Sequence, residues 1–544
     1  MDLQRNLILI SFIFVSYIIW QTWQNDHYST QLQPKSNKIN TETFVPNQNF
    51  PFKTKGKLIS VKTDVLSLRI NTYGGDIIKA QLLSYPEILN TQHPFKLLQT
   101  TPTFISQAQS GLLVLNNSSR KIEKSPLYHV KNDTYIMKKS QDTLQIPLYW
   151  KDNNGLIYTK IFSFKRNQYS IDVKYYITNT SLYPMQVSIF GRLKQSTSSM
   201  PPPTTNDKKN SYLNSENHRC VAYSTMYHKF KKYKFSKINN NNNLKISTFN
   251  GWIAMLQHYF VTAWIPHSNG INRFYTKSDT PGIVSVGYES TPIKIYPGET
   301  KNLSATLWIG PKIQDKMAIA APYLDLTVDY GWLWFISQPL FKLLKAIQNK
   351  IGNWGFSIIL ITLIVRTIMY PLTKAQFTSV VKMRSLQPKI QEIRDRVGNN
   401  KQRMSQEIMN LYKSEKVNPL GGCFSLIIQM PIFLALYYML INAVELRHAP
   451  FILWINDLSA KDPYYVLPII MGITMLIIQK MSPSSATITD PMQHKIMAYM
   501  PIIFTLFFLW FPSGLVLYYI VSNLVTIIQQ QLIYHNLKKQ GLYK

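Results

Sequence analysis

The sequence predicts a multi-domain membrane protein with an α-helical membrane core, a large external all-β domain and a cytoplasmic helical hairpin. Long apolar runs near the start and in the last third of the chain predict membrane spans. Between them, apolar and polar residues alternate as they do in half-buried strands. A strongly basic connection inside the membrane part carries the spacing of two short helices.

Six apolar runs are the candidate transmembrane helices. Several are shorter than the ~20 residues that cross a bilayer core, so flanking residues must contribute length. The runs are Leu7–Trp20, Phe356–Tyr370, Phe424–Val444, Tyr464–Gln479, Ile496–Phe511 and Leu515–Ile528.

The first run resembles a secretory signal in length. The residues after it, Gln21-Thr22-Trp23-Gln24, offer no pair of small residues for cleavage, so residues 1–23 are predicted to be an uncleaved signal-anchor helix. Cleavage is the alternative. A polar linker follows at residues 24–55.

Residues 56–335 are predicted to form the external β domain, most simply a sandwich. Tyr158–Phe164 and Tyr169–Ile177 flank a short polar turn and predict a hairpin, and the run Leu58–Ile70 leads into the turn Tyr73-Gly74-Gly75-Asp76. Leu303, Ala305, Leu307 and Ile309 predict a later strand. No βα alternation accompanies these runs, which favours an all-β fold.

Residues 336–353 have helical spacing, with lysines between the apolar positions. Nearby tryptophans suit a membrane interface, so an interfacial amphipathic helix is predicted, and packing on the external domain is the alternative. The apolar positions are Leu340, Leu343, Leu344, Ile347 and Ile351, and the tryptophans are Trp332, Trp334 and Trp354.

Charge in the connections orients the predicted spans. Leu372–Pro419 carries ten Lys or Arg against four acidic residues, which predicts a cytoplasmic location, whereas Glu445–Asp462 is weakly acidic and is predicted to be external. The tail, residues 535–544, is basic. Alternation then places both termini in the cytoplasm and the β domain outside.

The cytoplasmic segment 383–417 is predicted to be a helical hairpin within the membrane core, residues 354–534. Its apolar residues recur at steps of three and four on both sides of Gly398-Asn399-Asn400: Leu386, Ile390, Ile393 and Val397, then Met404, Ile408 and Leu411. Its basic surface is open to three interpretations, namely a solvated face, anionic headgroups or ribosomal RNA.

Arg366 is the most informative residue of the core. A charged side chain at the bilayer centre costs about 2.5–3.5 kcal/mol on insertion scales, so it is expected to face protein, water or a ligand. Thr362 and Tyr370 fall four residues to either side and give one polar face. The alternative is an arginine that snorkels to the headgroups. No acidic residue occurs in any predicted span.

Several function classes find no support in the sequence. Cys220 and Cys423 give no disulfide framework or cysteine metal site, no Gly-rich phosphate loop is present, and the net charge of +32 is spread along a Lys- and Asn-rich chain. His258 and His267 lie near aromatic residues without a catalytic partner motif. The protein is predicted to be no enzyme and to use no cofactor or metal.

Five motifs in the last third carry a family resemblance. They are Ile364-Val365-Arg366-Thr367-Ile368-Met369-Tyr370-Pro371, Val417-Asn418-Pro419-Leu420-Gly421-Gly422-Cys423, Gln429-Met430-Pro431-Ile432-Phe433, Trp510-Phe511-Pro512-Ser513-Gly514-Leu515 and Ser522-Asn523. With Gln107-Ala108-Gln109-Ser110-Gly111-Leu112 in the β domain, they resemble the YidC membrane protein insertases of Gram-negative bacteria, in the YidC/Oxa/Alb family.

This resemblance implies a multi-pass protein of the inner membrane that inserts and folds integral membrane proteins, alone or with the Sec translocon. It implies five core helices around a hydrophilic groove and a periplasmic β-super-sandwich. The position of Arg366 would line the groove, with Thr362 and Tyr519 touching the substrate. Tyr518, beside Tyr519, and the polar Gln429 complete the predicted set.

The partners that the resemblance implies are nascent membrane proteins, the Sec translocon including SecYEG and SecDF, the ribosome and membrane lipids. Two rival functions remain at this stage. One is a secondary transporter or channel that binds an anionic substrate at Arg366, although no acidic relay or paired repeat supports it. The other is a membrane-anchored glycan enzyme that uses the sandwich.

Overall fold

In the computed structural model, the described residues are 56–540, with gaps at 117–118, 122–124, 153–154, 198–218, 240–242, 269, 281, 399, 416, 418–420 and 482–490. The predicted signal-anchor helix, the linker 24–55 and residues 541–544 of the tail lie outside them. Two compact units divide the described chain, one up to Val328 and one from Asp329. The domain boundaries predicted near residues 335 and 353 stay predictions.

The first unit is a β-sandwich. Its described strands are β1 Leu58–Lys62, β2 Leu66–Asn71, β3 Asp76–Pro86, β4 Pro94–Thr100, β5 Ile105–Asn116, β6 Ser119–Lys121, β7 Thr134–Ile136, β8 Thr143–Lys151, β9 Leu156–Lys165, β10 Ser170–Asn179, β11 Met185–Ser196, β12 Cys220–Thr225, β13 Lys231–Lys234, β14 Lys245–Thr248, β15 Gly251–Leu256, β16 Phe260–Pro266, β17 Asn272–Thr280, β18 Ile283–Glu289, β19 Ile293–Ile295 and β20 Thr300–Pro311.

Two sheets form among these strands. One runs β14-β17-β18-β11-β5-β4-β3-β2-β1-β7, with β19 and β6 paired to β11 and β5, and the other runs β13-β12-β15-β16-β20-β10-β9-β8. The pairing is antiparallel except between β1 and β7. The inward residues include Trp252, Trp264 and Trp308, which are all but fully buried.

The predicted hairpin and the predicted later strand are confirmed. β9 and β10 pair antiparallel from Ile171 opposite Phe164 to Asn179 opposite Leu156, and β20 pairs with β10 along its length. The run Leu58–Ile70, in contrast, holds two strands. The Thr63 hydroxyl accepts hydrogen bonds from the main-chain N–H groups of Val65 and Leu66, which turns the chain between β1 and β2.

A lysine occupies the interior of the sandwich. Lys160 lies in the inward register of β9 and is fully buried, and its ammonium group donates to the carbonyls of Gly75 at 2.8 Å, Ser110 at 2.9 Å and Gly74 at 3.3 Å. The Phe162 ring lies 4.9 Å from its Nζ. Burial lowers the pKa of Lys160 to about 7, and the buried carboxylate of Asp76 opposes this shift.

Helices dominate the second unit. After two short helices in the first unit, α1 Phe235–Asn239 and α2 Gln314–Ala320, the described helices are α3 Trp334–Ile351, α4 Trp354–Ile368, α5 Tyr370–Ser385, α6 Gln387–Val397, α7 Lys401–Ser414, α8 Gly421–Asn442, α9 Val466–Met481, α10 Pro491–Phe508 and α11 Ser513–Lys539. Each apolar run predicted after residue 355 falls on one of α4, α8, α9, α10 or α11.

Few of the described helices have both the length and the apolar composition that crossing a bilayer requires. Among the described residues, α11 is long and apolar enough to cross a bilayer, and α4 with α5, bent by 60°, pass the same test together. Shorter apolar helices occupy Gln429–Asn442, Val466–Met481 and Ala498–Phe508. The predicted number of six spans therefore stays a prediction.

Helix α5 was not foreseen in the sequence. The chain bends at Met369, and Pro371 lies in the first turn of the new helix, where a missing N–H costs nothing. One side of α5 is apolar and meets the end of α11, where Phe377 and Val381 pack on Ile533 and Leu537. The apolar run and the basic connection are thus continuous helical structure with a sharp bend.

Helices α6 and α7 flank Gly398, whose φ of +59° suits glycine. Ion pairs join them at Arg396–Glu407, 2.5 Å, while Lys389 pairs with Glu415 at 2.6 Å beyond α7. These pairs are exposed and contribute little stability. The cytoplasmic location of this hairpin stays a prediction.

Helix α3 has two apolar sides. Phe341, Leu344 and Ile347 are buried, whereas Trp334 and Leu343 are exposed. The Ser337 hydroxyl donates to the Ala435 carbonyl of α8 at 2.9 Å, which fastens α3 to the helical unit. Its predicted place at a membrane interface stays a prediction.

Candidate functional site

Arg366 lies in the last turn of α4. The helix begins where the Asn353 side chain accepts hydrogen bonds from the N–H groups of Gly355 and Phe356, and it ends at Ile368 before the bend. A cation near a helix C-terminus is stabilised by the helix dipole. The end of α4 therefore favours a positive charge at this position before any partner is considered.

The guanidinium of Arg366 contacts α11. Its Nε donates to the Ser522 hydroxyl oxygen at 2.8 Å, and one terminal nitrogen donates to the same oxygen. Arg366 is only 7% exposed. Within the described chain, it has no ion pair and no other side-chain acceptor. A guanidinium carries five N–H donors, so most of its capacity is left for water or a ligand.

The bend after α4 is tied to α11 as well. Helix ends leave carbonyl groups without intrahelical partners, and the Gln529 side-chain amide donates to the Arg366 carbonyl at 3.2 Å. Further along α11, the Asn523 amide donates to the Thr474 hydroxyl of α9 at 3.0 Å. These neutral groups join α11 to α4 and to α9.

Thr362 is one turn before Arg366 and is fully buried. Its hydroxyl donates to the Ile358 carbonyl of its own helix at 2.6 Å. The predicted contact between Thr362 and a substrate thus requires that α4 and its neighbours separate.

Tyr518 and Tyr519 begin the part of α11 that faces Arg366, and both lie within electrostatic range of its guanidinium. Tyr518 is buried and Tyr519 is half-buried. The Tyr519 ring meets Phe433 at 5.1 Å and Phe508 at 4.9 Å between centroids, both edge to face. An aromatic wall therefore borders the cation.

Gln429 is half-buried on α8, one turn before Phe433. Phe433 contacts the Tyr519 ring, and this contact connects the part of α8 that carries Gln429 to the residues near Arg366. The structure thus brings Arg366, Tyr518 and Tyr519 together, buries Thr362 one turn before Arg366 on α4 and puts Gln429 one turn before Phe433 on α8.

Sequence reasoning missed the residues that hold Arg366. Ser522 was noted only within the Ser522-Asn523 motif of the family resemblance, and Gln529 lies one residue beyond the apolar run Leu515–Ile528, which is predicted as the last span. Their signal was their spacing, because 519, 522, 526 and 529 step by three and four along one side of α11.

The site as a whole combines one buried cation with aromatic surface. The described residues supply no carboxylate to neutralise Arg366, and the described chain contains no cluster of acidic, histidine or cysteine side chains that could hold a metal. Such a site can accept an acidic group at the guanidinium and apolar side chains at the rings. It offers no nucleophile and base pair for bond making.

Fold and site together define a membrane protein with a helical core and a β-sandwich domain. A family model described as the YidC periplasmic domain matches residues 58–343, and one described as the 60Kd inner membrane protein matches residues 346–540. The chain belongs to the YidC family of membrane protein insertases, which are inner-membrane proteins with a periplasmic domain and not known as enzymes.

Solved structures give weaker likenesses. The chain is similar to a crystal structure of an active YidC insertase with the first transmembrane domain resolved, at 19% identity and a TM-score of 0.37, over 88% of this chain and 92% of that one. It is also similar to a galactose mutarotase related enzyme from Lactobacillus acidophilus, at 8% identity and a TM-score of 0.30, over 46% and 97%.

Proposed function

We propose that this insertase receives its clients at the Arg366 site, in a hydrophilic groove between α4 and α11. The observation that supports the proposal is the guanidinium itself, buried and held by one serine hydroxyl among the described residues. A buried cation without a carboxylate is costly unless water or an anionic group reaches it. A passing acidic residue would supply that group.

The physics of insertion follows from this arrangement. A groove that holds water partway through the bilayer shortens the apolar distance that a hydrophilic segment must cross. Arg366 would pair transiently with acidic residues of the translocated segment, while the Tyr519 and Phe433 rings touch apolar side chains. Release into lipid would be driven by burial of apolar surface, about 25 cal/mol per Å².

The partners and orientation belong to the same proposal. Nascent membrane proteins are the substrates, and the Sec translocon with SecYEG and SecDF, the ribosome and membrane lipids are proposed as partners on the basis of family membership. Both termini and the α6–α7 hairpin are proposed to be cytoplasmic, as the basic connection suggests.

Insertion of matched clients tests the role of Arg366. Purified protein in vesicles would be given one small membrane protein with an acidic translocated segment and a version with the acids replaced by amides. Arg366→Ala is expected to slow the acidic client more, and Arg366→Lys to retain much of the activity. Lys382→Ala, which removes an exposed cation of α5, is the control.

Equal losses for the acidic and neutral clients would contradict the electrostatic role. If the Arg366→Ala variant inserts both clients at the wild-type rate, the client-binding site does not include Arg366.

Photocrosslinking tests the path of the client. A photoreactive residue at Tyr519 or Gln429 is expected to capture a stalled client, and one at the buried Thr362 is expected to do so only while α4 and α11 are apart. Lys174, exposed on β10, is the control position. Adducts found mainly at Lys174 would show that the client is handled by the sandwich.

A further inference from the structure

A shallow cavity on the sandwich is lined by cations. It has a volume of about 240 Å³ and lies over strands β7, β1, β2 and β3. Cross-strand pairs place Ser60 opposite Arg69, and Arg69 opposite Lys79. Lys62 is opposite Ser67, and Thr134 is opposite Ser60. Residues paired in this way share one face of a sheet.

The opposite face of the same strands is the sandwich core. Ile59, Leu66, Ile70 and Ala80 alternate with the cation- and hydroxyl-bearing residues of the cavity and are buried. The cationic side chains are therefore directed away from the core by the pleat. The pairing between these strands restricts the backbone of the residues that carry the cationic side chains.

Two irregularities shape the cavity. The register between β2 and β3 shifts after Arg69, and the register between β3 and β4 shifts after Ala80. An extra residue of this kind bends the strand and increases its twist, and such bulges occur often beside binding sites. The first shift directly follows the Arg69–Lys79 pair, and the second begins one residue after Lys79.

The charges of the cavity are not neutralised. Lys62, Arg69 and Lys79 make no ion pair with any described residue, and no described lining residue is acidic. Lys96, on the next strand, pairs with Glu87 at 3.4 Å. Asp64, in the turn after β1, accepts a hydrogen bond from the Asn167 N–H.

The chain is rich in lysine, so clusters of cations are expected on its surface. Cations on a convex surface separate into solvent, whereas Lys62, Arg69 and Lys79 line one concavity with hydroxyl groups between them. Lys79 is half-buried, and burial lowers its pKa, with the nearby cations Arg69 and Lys96 adding to the shift. An anion in the cavity would remove this repulsion.

We propose that this cavity binds a phosphate group. Three cations and the hydroxyls of Ser60, Ser67 and Thr134 match an oxyanion with several acceptor oxygens better than a single carboxylate. The volume is below the roughly 300–1,000 Å³ of ligand pockets for drug-sized molecules, which suits a phosphate ester with a small substituent. That ester is either a soluble molecule or an anionic phospholipid headgroup.

Site-resolved lysine labelling tests the proposal on the full-length protein. The protein in phosphatidylcholine nanodiscs would be treated with an amine-reactive reagent, and the labelling of Lys62 and Lys79 measured by mass spectrometry with and without inorganic phosphate. A second arm uses phosphatidylglycerol nanodiscs without phosphate. Chloride at matched ionic strength controls for screening.

Protection of Lys62 and Lys79 by phosphate would identify a soluble ligand class, and protection by phosphatidylglycerol would identify a lipid headgroup. Arg69→Gln is expected to weaken the effect of the protecting anion about tenfold, the loss of one charge-assisted contact. Lys174→Gln should leave it unchanged. Equal protection by chloride, or none in either arm, would overturn the proposal.

Thermal unfolding of each variant distinguishes lost binding from lost folding. Arg69 is exposed, so Arg69→Gln is expected to unfold at the wild-type temperature. Should it fold poorly, Lys62→Gln, also at an exposed position, replaces it, and the loss of phosphate protection at Lys79 remains the readout.

Discussion

Lys160 in the sandwich and Arg366 in the helical unit are both buried, and the two are held in opposite ways. Lys160 in the sandwich donates to three main-chain carbonyls and has aromatic rings around it. Arg366 in the helical unit meets one serine hydroxyl, although it has more donors. A buried cation whose hydrogen-bond donors are all used is fixed in the fold, whereas one whose donors are left over is available to a ligand.

The groups that surround Lys160 and Arg366 differ in the same way. Gly75, at φ +64°, has no room for a side chain because a Cβ there would lie 2.8 Å from the Lys160 Nζ. A side chain at position 75 would therefore require the Lys160 ammonium group to move. Around Arg366 the contacts come from side chains of a neighbouring helix, Ser522 and Gln529. Lys160 is thus held by main-chain groups, whereas the Arg366 guanidinium is held by a side chain.

The largest expected effect is on the stability of the sandwich. Lys160→Ala removes the donor of three buried carbonyls and leaves a cavity, and we expect a loss of about 4 kcal/mol in the free energy of unfolding. The free energy of unfolding is measured by incubating the full-length protein in increasing urea and detecting the unfolded β domain, residues 56–328, by its cleavage with a protease. Lys174→Ala, at an exposed position of β10, is the control. A loss below about 1 kcal/mol would contradict the structural role of Lys160.

The pH dependence of the same unit gives the next effect. The pKa of Lys160 is lowered from 10.5 to about 7 in the folded state. Between these values the unfolded chain binds the extra proton, so stability rises with pH, by up to about 1.4 kcal/mol per unit. Lys160→Met should remove this rise. The difference in the free energy of unfolding between the wild type and Lys160→Met should therefore increase with pH. A difference that falls with increasing pH would show that the ammonium form is favoured by folding.

The contrast between these cations also marks what the sequence could predict. The charge of Arg366 stands out in an apolar run, so a site was predicted there from one residue. Its partner Ser522 is distant in the chain, and only packing of α4 on α11 joins them. Lys160 had a visible signal, since it occupies the inward register between Tyr158 and Phe162, but a lysine in a strand is usually exposed.

The fold was predictable to a similar degree. Alternation located β9, β10 and β20, because one face of each strand is buried. The order of the larger sheet, in which β11 lies between β18 and β5, depends on long-range pairing and leaves no local mark. The bend at Met369 escaped because an apolar run followed by Pro371 also describes a helix that ends.

Arg366 should affect insertion much more than stability. Arg366→Met replaces a buried cation by an apolar side chain of similar length, a change that is often neutral or stabilising. We expect thermal unfolding within about 1 kcal/mol of wild type but about tenfold slower insertion of an acidic client, a loss near 1.4 kcal/mol. A large fall in stability would mean that Arg366 is structural in the way Lys160 is.

The smallest expected effect belongs to Ser522, a positioning residue for the Arg366 guanidinium. Ser522→Ala removes the oxygen that accepts from the Arg366 Nε at 2.8 Å, so the side chain loses its fixed orientation while the charge remains. Loss of a hydrogen bond of about 1 kcal/mol predicts roughly fivefold slower insertion of acidic clients. Ser522→Thr keeps the hydroxyl and should restore the rate.

Thr526→Ala is the matched control, because the Thr526 hydroxyl donates to the Ser522 carbonyl within α11 and leaves Arg366 alone. The decisive quantity is the ratio of acidic to neutral client insertion, which general damage to α11 would not change. Ser522→Ala should lower this ratio and Thr526→Ala should not. If both variants slow the two clients equally, Ser522 only packs the helices, and the orientation of Arg366 does not depend on it.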